Sequence, residues 1–161
     1  PTYIRLTGMP RNPIVYGKDI EYVSGKAKKL SEGDDIAIFA TGTMVYESLK
    51  AAEILEQNNI IAAVYDIHTI RPFDAECLVD ARKARIFVTV EEHGVIGGLG
   101  NTVIYALNEI EESKHVLKIG ISCEWSHAAD YSALKERYGL TSEGIANRVL
   151  SYFNGSKEGL S

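Results

Sequence analysis

Apolar residues in this chain fall into short runs separated by longer amphipathic stretches, in regular alternation. Residues 36–42 (IAIFATG) form an apolar run closed by turn residues, the pattern of a buried strand. In the stretch that follows, TMVYESLKAAEILEQNN, Val45, Leu49, Ala52 and Leu55 recur on one helical face. Glu47, Lys50 and Glu53 point away from it, and Asn58 and Asn59 supply a stop. The cycle repeats with a strand over 60–68 (IIAAVYDIH) and a short helix in DAECLVDARKA that Asp74 can cap. It repeats again with the strand RIFVTVEE, the helix LGNTVIYALNEIEES and the strand HVLKIGIS. The tail, DYSALKERYGLTSEGIANRVLSYFN, reads as two helices divided at Tyr138 and Gly139, with Thr141 or Ser142 capping the second.

Strands alternating with helices predict an α/β fold, a three-layer open and mostly parallel sheet of about five strands. The stretch EYVSGKAKKLSEGDD supplies one antiparallel or edge strand. PTYIRL alternates as a short strand, and Pro10 and Pro13 interrupt the connector after it. The predicted division is therefore a preceding strand and linker over 1–18, a compact domain over 19–154 and a flexible polar tail over 155–161.

Composition narrows the function classes. The net charge of −5, from 22 acidic and 17 basic residues, argues against an electrostatically driven nucleic-acid binder. No apolar run approaches the length of a membrane span, and no signal peptide is recognisable. Cys77 and Cys123 lack metal-ligand or C-x-x-C spacing, so both are expected as buried free thiols, which suits a reducing cytoplasm. His115 and His127 have no metal-site spacing either, and Trp125 is expected to pack at the sheet edge or a subunit contact.

Ligands of open parallel sheets collect beyond the carboxyl ends of the strands, and three segments occupy that edge. Thr41, Gly42 and Thr43 open a helix, where free N–H groups favour an anion; threonine capping is the plainer role. His68 and Arg71 form a candidate polar or anion site, with an ion pair in the loop or at a subunit contact as the structural alternative. Glu91, Glu92 and His93 are candidate acids, bases or metal ligands, although adjacent carboxylates diverge in an extended chain. Gly97, Gly98 and Gly100 do not complete the G-x-G-x-x-G dinucleotide fingerprint; they suit a sharp strand-to-helix turn or a close contact.

Taken in order, PTYIRLTG, GKAKKLSEGDDIAIFATGTMVYESLKAAEIL, VYDIHTIRPFD, VTVEEHGVIGGLGNTV and YGLTSEGIA resemble the C-terminal part of transketolase-type enzymes. The resemblance implies a transferase of carbohydrate metabolism, of the pentose phosphate type, that moves a two-carbon ketol unit between sugar phosphates. The cofactor it implies is thiamine diphosphate with a divalent metal such as Mg, held outside this chain, because the family's G-D-G…N motif is missing here. No catalytic, cofactor or metal residue is thus implied in these 161 residues. The implied partners are the remaining transketolase domains or an N-terminal subunit, and a second copy in a homodimer. Thr41, Gly42, Thr43, His68, Arg71, Glu92, His93, Gly97 and Gly98 stay as an anion or interface set, with EEHGVIGGLG on the docking surface. The same resemblance extends to 1-deoxy-D-xylulose-5-phosphate synthase and to the β-subunits of 2-oxoacid dehydrogenases. A non-catalytic anion-binding regulatory or interaction module is the reading from a different class. The isolated chain is expected to fold without binding the cofactor or transferring ketol groups.

Overall fold

The computed structural model describes residues 1–4, 13–17, 20–122 and 128–158, with side chains described as far as Phe153. Cys123, Trp125 and His127, singled out above, lie outside the described residues, as does Pro10.

Among the described residues, five strands and five helices follow one another as β1 (Lys28–Ser31), β2 (Ile36–Ala40), α1 (Met44–Glu56), β3 (Ala62–Asp66) and α2 (Glu76–Asp80). They continue as β4 (Ile86–Gly94), α3 (Leu99–Glu109), β5 (Val116–Ile121), α4 (Tyr131–Arg137) and α5 (Ser142–Glu158). The strands lie in the order β1-β3-β2-β4-β5. All neighbours are parallel except β1, which pairs antiparallel with β3 at the edge. This is the three-layer α/β sheet with one antiparallel edge strand that the alternation predicts. The first residues differ from expectation: Pro1 to Ile4 form no strand and are exposed. Among the described residues no helix is long and apolar enough to cross a membrane.

Each strand projects alternate side chains to opposite faces, so the sheet carries two cores. Ile38 lies level with Val64 on one side and Val88 on the other. With Ile36, Val90 and Ile119 they pack under α1 and α5 against Met44, Leu55, Ile145 and Val149. Phe39, Tyr65 and Phe87 face the other way, toward Leu78 of α2 and Leu99, Val103 and Leu107 of α3. All five residues of β2 are fully buried, which is why that strand is apolar without alternation. A side chain the size of Phe39 or Ile38 gains about 1.5–3 kcal/mol from such burial.

The helix ends follow from local chemistry. After α1, Asn59 adopts φ 60° and the Ile60 N–H reaches back to the Leu55 carbonyl at 3.0 Å. After α3 the same role falls to Glu111, at φ 56°. Asp74 accepts the Glu76 N–H at 3.3 Å ahead of α2, and Thr141 Oγ1 accepts the Gly144 N–H at 3.1 Å in α5. Ser142 leaves the capping to Thr141 and turns its hydroxyl toward Glu143. Glu47 departs from its expected outward orientation. Its side chain is 12% exposed, pairs with Lys135 of α4 at 2.5 Å and accepts the Ser142 N–H at 2.9 Å. The first turn of α5 and the Lys135 ammonium both attract a carboxylate there, which draws Glu47 inward.

Candidate functional site

The strand order places a topological switch point between β2 and β4, whose connections leave toward opposite sides. Thr41 stitches that crevice together: its N–H donates to the Val90 carbonyl at 3.2 Å and its hydroxyl to the Ile67 carbonyl at 2.9 Å. Gly42 turns the chain at φ 60°, a left-handed backbone that favours glycine. Neither threonine caps α1 through its side chain, contrary to the plainer sequence reading. The hydroxyl of Thr43 instead donates to the Glu92 carboxylate at 2.5 Å, and the Tyr131 hydroxyl reaches the same oxygen at 2.7 Å. Burial raises the Tyr131 hydroxyl above its ordinary value, and the bond to Glu92 adds to the rise.

Glu91 and Glu92 diverge as successive residues of a strand must. Glu92 faces Thr43 and α4, whereas Glu91 is buried on the α3 side. Its carboxylate accepts the N–H groups of Leu99 at 2.7 Å and Gly100 at 3.1 Å, filling the N-terminus of α3. The glycines follow from that arrangement. A Cβ on Gly98 would stand 2.0 Å from the Glu91 Oε2, and one on Gly100 would stand 2.5 Å from the Lys118 side chain. Gly97 turns at φ 78°. His93 is exposed beyond them.

His68 and Arg71 belong to a separate group at the end of β3. The His68 Nδ1 lies 3.0 Å from the Thr69 hydroxyl, and the Tyr22 ring lies against the imidazole with centroids 4.2 Å apart and the ring planes tilted by 37°. Arg71 precedes Pro72 through a cis peptide bond, is exposed, and makes no ion pair among the described residues. Sequence reasoning missed the buried carboxylate beside them, Asp66, which takes a hydrogen bond from the Tyr16 hydroxyl. Burial raises the Asp66 carboxyl above the usual range, against the opposing pull of Tyr16 and His68. An acidic residue closing the otherwise apolar AAVYD strand was the available signal.

Chemically, the edge is occupied by its own contacts. Each carboxylate pointing there has donors within the chain, and Glu92 stands where an anion at Thr43 would have to sit. Among the described residues no three His, Cys, Asp or Glu side chains form a group able to hold a metal. The described residues therefore do not fit a magnesium diphosphate. Cys77 is a buried free thiol; burial, then Asp74 and Asp80, push it far above the range of a nucleophile.

The family model described as "Transketolase, C-terminal domain" matches residues 25–145. A Methanocaldococcus jannaschii protein assigned as a transketolase C-terminal section is 39% identical over 155 residues, covering 93% of this chain and 47% of that protein. A 1-deoxy-D-xylulose-5-phosphate synthase from Caldanaerobacter subterraneus is 35% identical over 130 residues, 80% of this chain and 21% of the enzyme. A solved split-gene transketolase, described as an inactive β4 tetramer, superposes with a TM-score of 0.78 at 39% identity, covering 86% of this chain and 45% of that one. The chain thus spans about half the length of the transketolase sections it matches. Its strand order, its two-sided core and these similarities agree: the chain belongs to the transketolase C-terminal domain family, a domain of transferase enzymes.

Proposed function

We propose that this chain serves as the C-terminal section of a transketolase, contributing packing and assembly while other sections bind thiamine diphosphate and Mg. The complete enzyme then transfers a two-carbon ketol unit between sugar phosphates in the cytoplasm, where a reducing environment suits the free Cys77 thiol. The observation that carries this reading is the engagement of the edge carboxylates. Glu91 holds α3, Glu92 ties β4 to α1 and α4, and Asp66 ties β3 to Tyr16. Each is engaged by donors within the chain, and together they fix the loops that a neighbouring domain would meet. Thr41, Gly42, Thr43, Glu92, His93, Gly97 and Gly98 are assigned to that docking edge, with His68 and Arg71 beside it. Self-association into a homodimer is part of the same reading, supported by the tetramer described for the split-gene relative.

The test is reconstitution. The chain mixed with the section carrying the cofactor site restores ketol transfer that neither piece shows alone; no restoration by an intact, folded chain counts against the reading. The match to 1-deoxy-D-xylulose-5-phosphate synthase favours a second assignment. Assaying the reconstituted enzyme with pyruvate and glyceraldehyde 3-phosphate, against a ketose and an aldose phosphate, separates the two.

A further inference from the structure

Among the described residues, α4 is the one helix of the five that buries no side chain. Its inner face, Tyr131, Leu134 and Lys135, is only half-buried. The other four press apolar residues onto the sheet: Met44 and Leu55 in α1, Leu78 in α2, Val103 in α3, Ile145 and Val149 in α5. What holds α4 is polar. The Tyr131 hydroxyl donates to the Glu92 Oε2 at 2.7 Å, and the Lys135 ammonium pairs with the Glu47 carboxylate at 2.5 Å. These two tethering side chains stand one turn apart on the same face, and the Lys135 Nζ lies 5.3 Å from the centre of the Tyr131 ring. Just beyond the helix the chain is anchored again: Gly139 turns at φ 66°, and Leu140 is buried in the core with Ile145 and Val149.

We propose that α4 is a strap over the Thr43–Glu92 side of the docking edge, opening as one unit about Gly139 while the sheet stays folded. The inference rests on the docking role in the functional reading above and adds its regulation. Opening forfeits no fully buried apolar side chain, so its cost is set by the two polar tethers and lies far below that of unfolding the sheet. When the strap lifts, Glu47 keeps the Ser142 N–H at 2.9 Å and Glu92 keeps the Thr43 hydroxyl at 2.5 Å. Neither carboxylate is stranded without a donor. The ring contact between Lys135 and Tyr131 joins the two tethers, so they break together. Docking is linked to the same opening. In the closed form Thr43 and Tyr131 fill both lone pairs of one Glu92 oxygen. A donor on the cofactor-binding section reaches that oxygen only as Tyr131 gives it up. Docking therefore draws on the open form, and the apparent affinity scales with the fraction of chains that are open.

Amide hydrogen exchange, read residue by residue, tests the strap, with Tyr131→Phe and Lys135→Met as variants whose folding is checked by circular dichroism. Each removes one tether and leaves Glu92 on Thr43 and Glu47 on Ser142. The reporters are the Leu134 N–H, bonded to the Asp130 carbonyl at 3.0 Å, and the Tyr138 N–H, bonded to the Leu134 carbonyl at 3.0 Å. The Ile38 N–H, in the central strand β2, reports global unfolding. In the wild-type chain both reporters are expected to be at least about a hundredfold less protected than Ile38, and to stay insensitive to low denaturant where Ile38 responds. Each variant is expected to speed both reporters by one common factor, about fivefold or more. Reporters that follow Ile38 in protection and denaturant response overturn the strap. Reporters that respond singly, each only to the nearer change, also overturn it, because the two ends then fray independently. The gating is read in reconstituted ketol transfer, where the variants are expected to reach half-maximal rate at a lower chain concentration, by the factor seen in exchange. An unchanged or higher midpoint overturns the gating. A wild-type chain that never reconstitutes sinks the functional reading instead and leaves the exchange result standing.

Discussion

The Glu91 carboxylate lies 2.7 Å from the backbone nitrogen of Leu99, eight residues on, and fills the end of the helix that Leu99 begins. The strand thereby supplies the cap for the helix that follows it, across a turn rich in glycine. A buried charge is tolerated here because two N–H groups and the helix dipole compensate it. Glu91→Ala is expected to lose about 2–4 kcal/mol of stability, since it removes a charged acceptor and strands two buried donors. Chemical denaturation measures this directly.

Gly98→Ala should be destabilising for a linked reason. The added methyl would meet the Glu91 carboxylate, and also the Gly94 carbonyl at 2.7 Å. A double-mutant cycle with Glu91→Ala is expected to show partial coupling, because one of the two clashes is relieved and the backbone one persists. Full additivity would mean that the glycine is required for the turn alone.

At the end of β3, the Tyr16 hydroxyl donates a hydrogen bond to the buried Asp66 carboxylate. Tyr16→Phe should therefore cost about 1–3 kcal/mol and loosen the segment around residue 16, seen as faster amide exchange there. The pH dependence has a definite sign. Burial raises the Asp66 carboxyl in the folded state, so its contribution is fully present below the unfolded value of about 4. That contribution is lost as pH rises through the folded value. Asp66→Asn should flatten the stability profile in that interval; an unchanged profile would contradict the assignment.

Glu111 closes α3 at φ 56°, a conformation that costs an L-residue about 1 kcal/mol or more. Glu111→Gly is expected to stabilise the chain by about 0.5–1 kcal/mol, read as a raised denaturation midpoint.

Much of the fold was legible because burial dictates pattern. The run IAIFA could only be a strand covered on both faces, and the alternation of runs with amphipathic stretches fixed a mostly parallel sheet. What the sequence did not disclose were long-range polar pairings. Nothing local says that Glu47 meets Lys135, 88 residues later, or that Asp66 meets Tyr16. The threonines at the start of α1 misled for the same reason. Their local preference is to cap, yet Ile67 and Glu92, distant in sequence, took their hydroxyls. The glycines of VIGGLG were legible as a turn, but their requirement for space came from Glu91 and Lys118 beside them.

The role proposed for this domain is to organise an assembly without holding the cofactor. Isothermal titration of the folded chain with thiamine diphosphate and Mg tests it most directly. The expected result is no saturable heat. Saturable binding in the micromolar range, lost on replacing Thr43 or Glu92, would contradict the claim and place the cofactor at the β2–β4 crevice.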